Sequence, residues 1–453
     1  MNLHHLLQAR AAENRPIRVA LIGAGKFGSM FLAQARLTPG FHVAIVADLN
    51  VEKARQSLQA TGWPAEQYGA GGLGDALKDA TTWVTDDAAA VFAAPEIEVV
   101  IDATGHPPAG IRHARLARKS GKHMVMVNVE ADALAGPLLA AEAREAGLVY
   151  SLAYGDQPAL IAEMVDWART CGFQVVAAGK GTKYLPSYHD LTPDDVWDHY
   201  GITAEEAAKG GMNAQMFNSF MDGTKSAIEM AAVANACALA PAAGGLEFPP
   251  VSCDDLAEVL KPLSEGGVLA HKGQVEVISS LERDGRAIER DLRWGVYVVF
   301  EAPTAYARRC FREYGLATDS SGRYAAMYKP YHLIGLELGI SVAQAALHGQ
   351  ATGTARDWRG DVVATAKRDL KAGETLDGEG GYTVWGKLCP AAESLAAGGL
   401  PLGLAQGVKL ARPVPRGQSL TWKDVIVDAG DATVACRREM ERRFAASVEN
   451  AAE

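Results

Sequence analysis

Through the first 155 residues, short apolar runs alternate with longer stretches in which apolar positions recur at helical spacing. Residues 18–22, 42–47, 99–102, 122–128 and 149–153 are too short for helices, and each is predicted as a buried strand. Between them, helices are predicted over 29–37, from near Val51, over 111–120 and over 136–146, after a short N-terminal helix. Such alternation implies a parallel, doubly wound sheet with right-handed crossovers. Ligands of such sheets lie beyond the carboxyl ends of the strands. Thr104, Gly105, His106, Asn128, Glu130 and Asp156 all fall at such ends.

From about Gly155 the pattern changes. Residues 173–179 read as a strand leading into Lys180-Gly-Thr-Lys-Tyr184, and a long polar segment runs to a helix over 224–239. Strands over 273–279 and 294–300 suggest a mixed α+β domain, and a helix over 332–347 is expected to pack back near the first domain. Around 354–361 the pattern restarts. Residues 362–376 and 408–425 each show a basic residue, a strand and then x-G-x-x-L, and 433–453 reads as a charged surface helix. The fold class is therefore α/β, with domains expected at 1–155, 156–353 and 354–453.

Chemistry enters at the first strand. Gly23, Gly25 and Gly28 form G-x-G-x-x-G between a strand and a helix, and Asp48 ends the next strand twenty residues after Gly28. Gly23 permits the turn, Gly25 lets backbone approach a pyrophosphate, and Gly28 lets helix and strand pack closely. The helix N-terminus adds free N–H groups and a positive dipole end. Gly23, Ala24, Gly25, Lys26, Phe27, Gly28, Asp48, Thr104 and Gly105 are the expected dinucleotide contacts. A carboxylate at Asp48 accepts from a free ribose and repels a 2′-phosphate, which favours NAD over NADP. The competing reading of Asp48 is an N-cap for the helix near Val51.

Composition narrows the class. The 453 residues are 48% apolar and 22% charged, with a net charge of −10, which argues against nucleic acid as a partner. Six scattered cysteines without a C-x-x-C pair fit reduced thiols in a cytoplasm. The N-terminus lacks the apolar core of a signal peptide, and no run is long enough to span a bilayer, so a cytoplasmic enzyme off the membrane is expected.

Several later motifs occur together and in order: Gly155-Asp-Gln-Pro158, Gly179-Lys-Gly181, Asp222-Gly-Thr-Lys225 leading to Asn235, Glu265-Gly-Gly267 and Lys329-Pro-Tyr-His332. Over nearly its whole length the chain resembles the 1-deoxy-D-xylulose 5-phosphate reductoisomerase-like oxidoreductases, a family related to homoserine dehydrogenase. The two late x-G-x-x-L segments resemble the SAF (β-clip) domain. The resemblance implies a Rossmann NAD(P)-binding domain, an α+β catalytic domain with a mixed sheet, and a small β-rich SAF domain. It further implies hydride transfer to a small hydroxyketone or sugar-derived substrate, phosphorylated or not, with or without rearrangement. Substrates of homoserine or branched-sugar-acid type are the nearest alternatives. Mg²⁺ or Mn²⁺ would take Asp156, Glu130 and Glu229 as its oxygen ligands. Symmetric dimers or tetramers, formed through the catalytic sheet, are expected.

Such chemistry needs a donor for a developing alkoxide, a proton carrier and substrate anchors. Lys180, between two glycines, is the expected donor. Lys225 and Glu229 lie one helical turn apart in an otherwise apolar helix, where charge is costly without a purpose. Asp222 reads equally as clamp or cap. Glu130 and His332 are candidate proton carriers. Thr182, Lys183, Asn128, Asp156 and Asn235 are candidate substrate contacts. A non-catalytic dinucleotide sensor with the late module as effector is the alternative of a different class, and it would not need this density of charge.

Overall fold

The computed structural model describes residues 2–209 and 212–450. The chain forms two compact units, one of residues 1–160 with 332–354 and one of residues 161–331 with 355–453. The sequence reading instead drew breaks at 155/156 and 353/354.

In the first unit, six parallel strands run in the order β3-β2-β1-β4-β5-β6: β1 (Ile17–Ile22), β2 (Phe41–Ala47), β3 (Trp83–Thr85), β4 (Val99–Asp102), β5 (His123–Met126) and β6 (Tyr150–Leu152). This is the doubly wound order, with its switch point between β1 and β4. Val19, Leu21, Val43, Val46, Val99, Ile101 and Val125 pack with Phe31 and Leu32 of the helix Lys26–Ala35. The returning segment adds Leu338, Val342 and Ala345 to the same core. Its helix begins at Gly339, not at 332, and ends at His348. Before it, Gly335 comes so close to the helix Lys26–Ala35 that a Cβ would sit 2.6 Å from that of Met30.

Three helices of this unit start earlier than their sequence pattern predicts: Lys26–Ala35, and two whose boundary capping chemistry decided. Pro107–Lys119 starts behind His106, whose Nδ1 accepts from Ala109 N, with Pro107 at the first helical position. Val129–Glu145 starts behind Asn128, which caps Ala131 N at 3.1 Å, and runs through Pro137. Burial along nearly its whole length offsets the interior proline.

In the second unit, β7 (Gln174–Thr182), β8 (Gln274–Ser279), β9 (Val296–Glu301) and β10 (Tyr324–Lys329) form a mixed sheet in the order β10-β9-β7-β8. Only β7 and β8 are parallel. One face is covered by Val251, Leu256, Leu260 and Leu269. On the other lie the helix Thr224–Cys237 and an aromatic group of Trp167, Phe173, Phe300 and Phe311. Among the described residues, β8 and β9 are buried along their whole length and β7 along nearly all of its own.

The last hundred residues add β11 (Gly360–Ala366), β12 (Thr375–Asp377), β13 (Val384–Pro390), β14 (Gln406–Leu410) and β15 (Val425–Ile426), as a β11-β13 ribbon and a β12-β14-β15 sheet. The two x-G-x-x-L turns have left-handed glycines, Gly373 and Gly417, and just before them Leu370 and Val414 exchange backbone hydrogen bonds. The helix Thr224–Cys237 packs on both β11 and β13, which ties this module into the second unit. The final helix, Ala432–Asn450, is no mere surface helix. Cys436, Arg437 and Met440 are buried, and the Arg437 guanidinium clamps Asp361 at 2.9 and 2.6 Å. Among the described residues, no helix is long and apolar enough to cross a membrane.

Candidate functional site: a glycine cradle and a buried lysine–glutamate pair

At the end of β1 each glycine of the motif does a distinct job. Gly23 has φ +96°, and a Cβ there would lie 2.7 Å from Ala103 O. A Cβ on Gly28 would sit 2.2 Å from Gly23 O, so helix and turn touch through backbone alone. Around Gly25 a Cβ would meet nothing. Gly25 is also the N-cap of Lys26–Ala35, with no side chain satisfying the first-turn N–H groups. Backbone donors facing open space at a helix start are what a pyrophosphate requires. The cradle therefore fits a dinucleotide. Lys26 is exposed and Phe27 packs against the core.

Asp48 braces this loop. Its Oδ2 accepts from Ala24 N at 2.8 Å and its Oδ1 from Asn50 N at 2.9 Å. It does not cap the following helix. Asn50 does, accepting from Lys53 N at 2.9 Å. Each carboxylate oxygen keeps a second lone pair for a ribose hydroxyl.

Below Thr104 and Gly105 lies a buried network that the sequence reading missed. Asp102, at the end of β4, meets His113 Nδ1 at 2.5 Å through Oδ2, while its Oδ1 accepts from Thr104 N and Oγ1. Asn128 Nδ2 donates to His106 O at 3.0 Å and Thr104 Oγ1 at 3.2 Å. Asn128 is 1% exposed and its Oδ1 is spent on the helix cap, so it braces the 104–106 loop instead of meeting substrate. The signal for this network was an acid closing an all-apolar strand, since buried acids demand partners. Glu130 lies half-buried in the first turn of Val129–Glu145. Asp156 is buried, with its Oδ1 on Gln157 N at 2.9 Å, and His332 is half-buried before the returning helix.

In the second unit, Lys180 on β7 and Glu229 on the helix Thr224–Cys237 form an ion pair, 7% and 4% exposed. Glycines on either side of the lysine make room. A Cβ on Gly179 would fall 1.7 Å from Glu276 O, and one on Gly181 1.9 Å from Leu292 O. The sequence reading placed Lys225 and Glu229 one helical turn apart with a functional role for both, and in the structure the acid reaches across to Lys180 on the strand. Lys225 is half-buried one turn earlier, and Thr182 is half-buried at the end of β7.

Other expected contacts take structural work. Asn235 is fully buried, with Oδ1 accepting from Arg359 N and Gly360 N at 2.7 and 3.0 Å, so it anchors the start of β11 and not a substrate. Asp222 is buried, its Oδ1 on Thr224 N at 2.9 Å and its Oδ2 2.8 Å from the Lys367 ammonium. Gly223, and not Asp222, is the N-cap residue of the helix. Lys183 Nζ donates to His199 O, and burial, then the Arg293 charge, holds its pKa below the usual lysine range.

Next to these lies a stacked group whose roles were not foreseen. Tyr184 stacks on Phe248 at 3.9 Å and His189 on Trp385 at 3.8 Å. His189 Nδ1 lies 2.7 Å from Asp222 O, so it must donate, which leaves Nε2 to accept from Tyr184 OH at 2.9 Å. Burial lowers the His189 pKa and pushes that of Tyr184 up to about 12, so both are neutral partners near pH 7. Among the described residues, no three His, Cys, Asp or Glu side chains are grouped so as to hold a metal ion. The expected set of Asp156, Glu130 and Glu229 is not such a group, and Glu229 is already met by an ammonium.

The doubly wound sheet with its glycine cradle is a dinucleotide-binding fold, and the second unit is built on a mixed sheet. Residues 155–338 match the family model for the catalytic domain of oxidoreductase DRL, and residues 361–426 match the SAF domain. No curated protein matches the chain. Among solved structures, myo-inositol dehydrogenase from Lactobacillus casei is 13% identical over 40% of this chain and 50% of its own, with a TM-score of 0.28. Biliverdin reductase from Synechocystis sp. PCC 6803 is 18% identical over 41% and 53%, at 0.27. An oxidoreductase from Klebsiella pneumoniae is 18% identical over 75% and 88%, at 0.37. The chain spans about half the length of the first structures it matches.

Proposed function

We propose that the protein transfers hydride between NAD(H) and a carbon bearing a hydroxyl or carbonyl in a small polyhydroxylated substrate, a hydroxyketone or sugar-derived acid. The observation that carries this reading is the buried Lys180–Glu229 pair, set between glycines on β7. A buried ion pair is weak evidence of stabilisation, because desolvation offsets much of the attraction, so its presence asks for another reason. A nicotinamide held at the glycine cradle supplies or accepts the hydride. The Lys180 ammonium donates to the substrate oxygen and stabilises the charge that grows on it. Glu229 keeps that ammonium oriented and takes up its proton when an alcohol is oxidised. Asp48 favours NAD over NADP by its charge.

The test is turnover of a panel of hydroxyketones and sugar acids, 1-deoxy-D-xylulose 5-phosphate among them, with NAD(H) and NADP(H), followed by nicotinamide absorbance. Turnover that is lost in Lys180→Met while dinucleotide binding persists supports the reading. Tight dinucleotide binding without turnover of any panel member by the native protein overturns it. Reaction of the deoxyxylulose phosphate itself would make the enzyme a reductoisomerase.

A further inference from the structure

Between β7 and the helix Thr224–Cys237 the chain makes an excursion, and the SAF-matching residues grip it with polar contacts. Gln215 Nε2 donates to the carbonyls of Asp377 and Glu379 at 2.8 and 2.9 Å. Asn218 Nδ2, fully buried, donates to Gly380 O and Leu191 O, both at 2.9 Å. Tyr382 OH donates to Asp194 at 3.0 Å, and Arg416 pairs with Asp190 at 2.5 Å. Gly380 approaches so closely that a Cβ would fall 2.0 Å from Gln215 O.

The same module grips the helix that follows. Gly386 N donates to Thr224 Oγ1 at 2.9 Å, and just before the matched segment Arg359 and Gly360 are bonded to Asn235 at the far end. Lys367 joins both sets of contacts. Its ammonium, 2% exposed, lies 2.8 Å from Asp222 and donates to Leu191 O at 2.6 Å and Gly381 O at 2.7 Å.

Both ends of the excursion run into the candidate site. It leaves β7 two residues after Lys180 and begins with Lys183, whose Nζ is bonded to its His199 carbonyl. It returns through Asp222 into the helix that carries Glu229. A tethered accessory module needs none of this. Burying an ammonium requires that every one of its protons be satisfied, and Lys367 meets that demand with groups at the start of the helix and in the excursion.

We propose that the SAF-matching segment is the positioning module of this oxidoreductase. Through Lys367, Gln215 and Asn218 it holds residues 186–200 and 213–222 and the helix Thr224–Cys237, and so sets the places of Lys183 and Glu229 relative to Lys180. The proposal rests on the reading of Lys180 and Glu229 as the reacting pair. Gln215, Asn218 and Lys367 are positioning residues and touch no substrate.

The test uses the full chain and Gln215→Ala, which deletes two cross-module bonds at a half-buried position. Four quantities are measured: hydrogen exchange by mass spectrometry, acylation of Lys183 by acetic anhydride, NADH affinity, and KM and kcat on the panel substrate. Exchange over 188–200 and 213–222 should rise about tenfold, as the loss of two hydrogen bonds implies. Lys183 should acylate faster, KM should rise with kcat falling, and NADH affinity should stay unchanged. Gln215→Lys keeps donors toward both carbonyls and should restore all of these. Lys367→Arg should act in the same direction and more strongly; should it fail to fold, Gln215→Ala decides alone.

Unchanged exchange overturns the proposal. So does faster exchange with Lys183 reactivity and kinetics unmoved, because the module would then hold the excursion without setting the site. If the native protein turns over nothing, the functional reading falls by itself, and exchange with Lys183 acylation still decides whether the module positions this region.

Discussion

The two halves of the candidate machinery are built on opposite plans. The glycine cradle lies within six residues of chain, and its fitness depends on side chains that are missing: Gly23 and Gly28 because backbone occupies the space, Gly25 because nothing does. The lysine–glutamate pair joins residues 49 positions apart, and its fitness depends on charges that burial makes expensive. A local site fails by steric intrusion, whereas a long-range site fails by losing a partner.

The largest expected effect lies in the second plan. Lys180→Met leaves Glu229 buried without its cation, which should cost about 3–5 kcal/mol and abolish turnover. Adding Glu229→Gln should recover most of the stability and none of the activity, as read by denaturant unfolding beside a rate assay.

Next in size is a pair of buried acids, one in each unit. Burial pushes Asp132 up to about 7, with the Tyr150 hydroxyl pulling the other way. It pushes Glu276 to about 7 as well, despite N–H donors from Glu247, Phe248 and Val277. Between the unfolded value near 4 and the folded value near 7, the native state binds the extra proton, so stability falls as pH rises through that window. Asp132→Asn should therefore stabilise the fold against denaturant more at pH 8 than at pH 4, by up to about 4 kcal/mol. Equal gains at both pH values would mean that the acid is already ionised in the native fold.

The cradle offers a sharper contrast within itself. Gly28→Ala forces a Cβ to 2.2 Å from Gly23 O and should destabilise the first unit by about 1–3 kcal/mol while losing the dinucleotide. Gly25→Ala meets no protein atom, so unfolding should be unchanged while dinucleotide affinity, by calorimetric titration, falls about tenfold. Equal stability losses in the two variants would break the steric account.

The smallest effect concerns Asp48. Asp48→Asn keeps an acceptor toward the loop but removes the charge, and should cost at most about 1 kcal/mol of stability. Its signature is a narrowed ratio of NAD to NADP affinity, measured by titrating both.

Much of the first unit was legible in the chain. A four-residue apolar run, three glycines and an acid twenty residues on are local features, and their chemistry needs no distant partner. Helix starts were less legible, because His106 and Asn128 act as caps through a hydrogen bond that no periodicity records. Asn128 and Asn235 were misjudged for one reason. An amide at the mouth of a strand or within a buried helix looks like a ligand contact until the backbone groups that consume it are seen. The one-turn spacing of Lys225 and Glu229 is visible in sequence, whereas the reach of Lys180 across from the strand is not.

By itself, then, the amino-acid order determined the class of fold, the place of the dinucleotide cradle and the presence of costly charge in an apolar helix. All three follow from spacing at 2.0 or 3.6 residues and from the steric freedom of glycine. Only the tertiary structure decided which charges meet: Lys180 with Glu229, Lys367 with Asp222, Arg437 with Asp361. It also decided that residues 355–453 fold as part of the second unit. The reason is physical. A buried charge must find its opposite wherever the packed chain brings one, and separation along the sequence places no limit on that search.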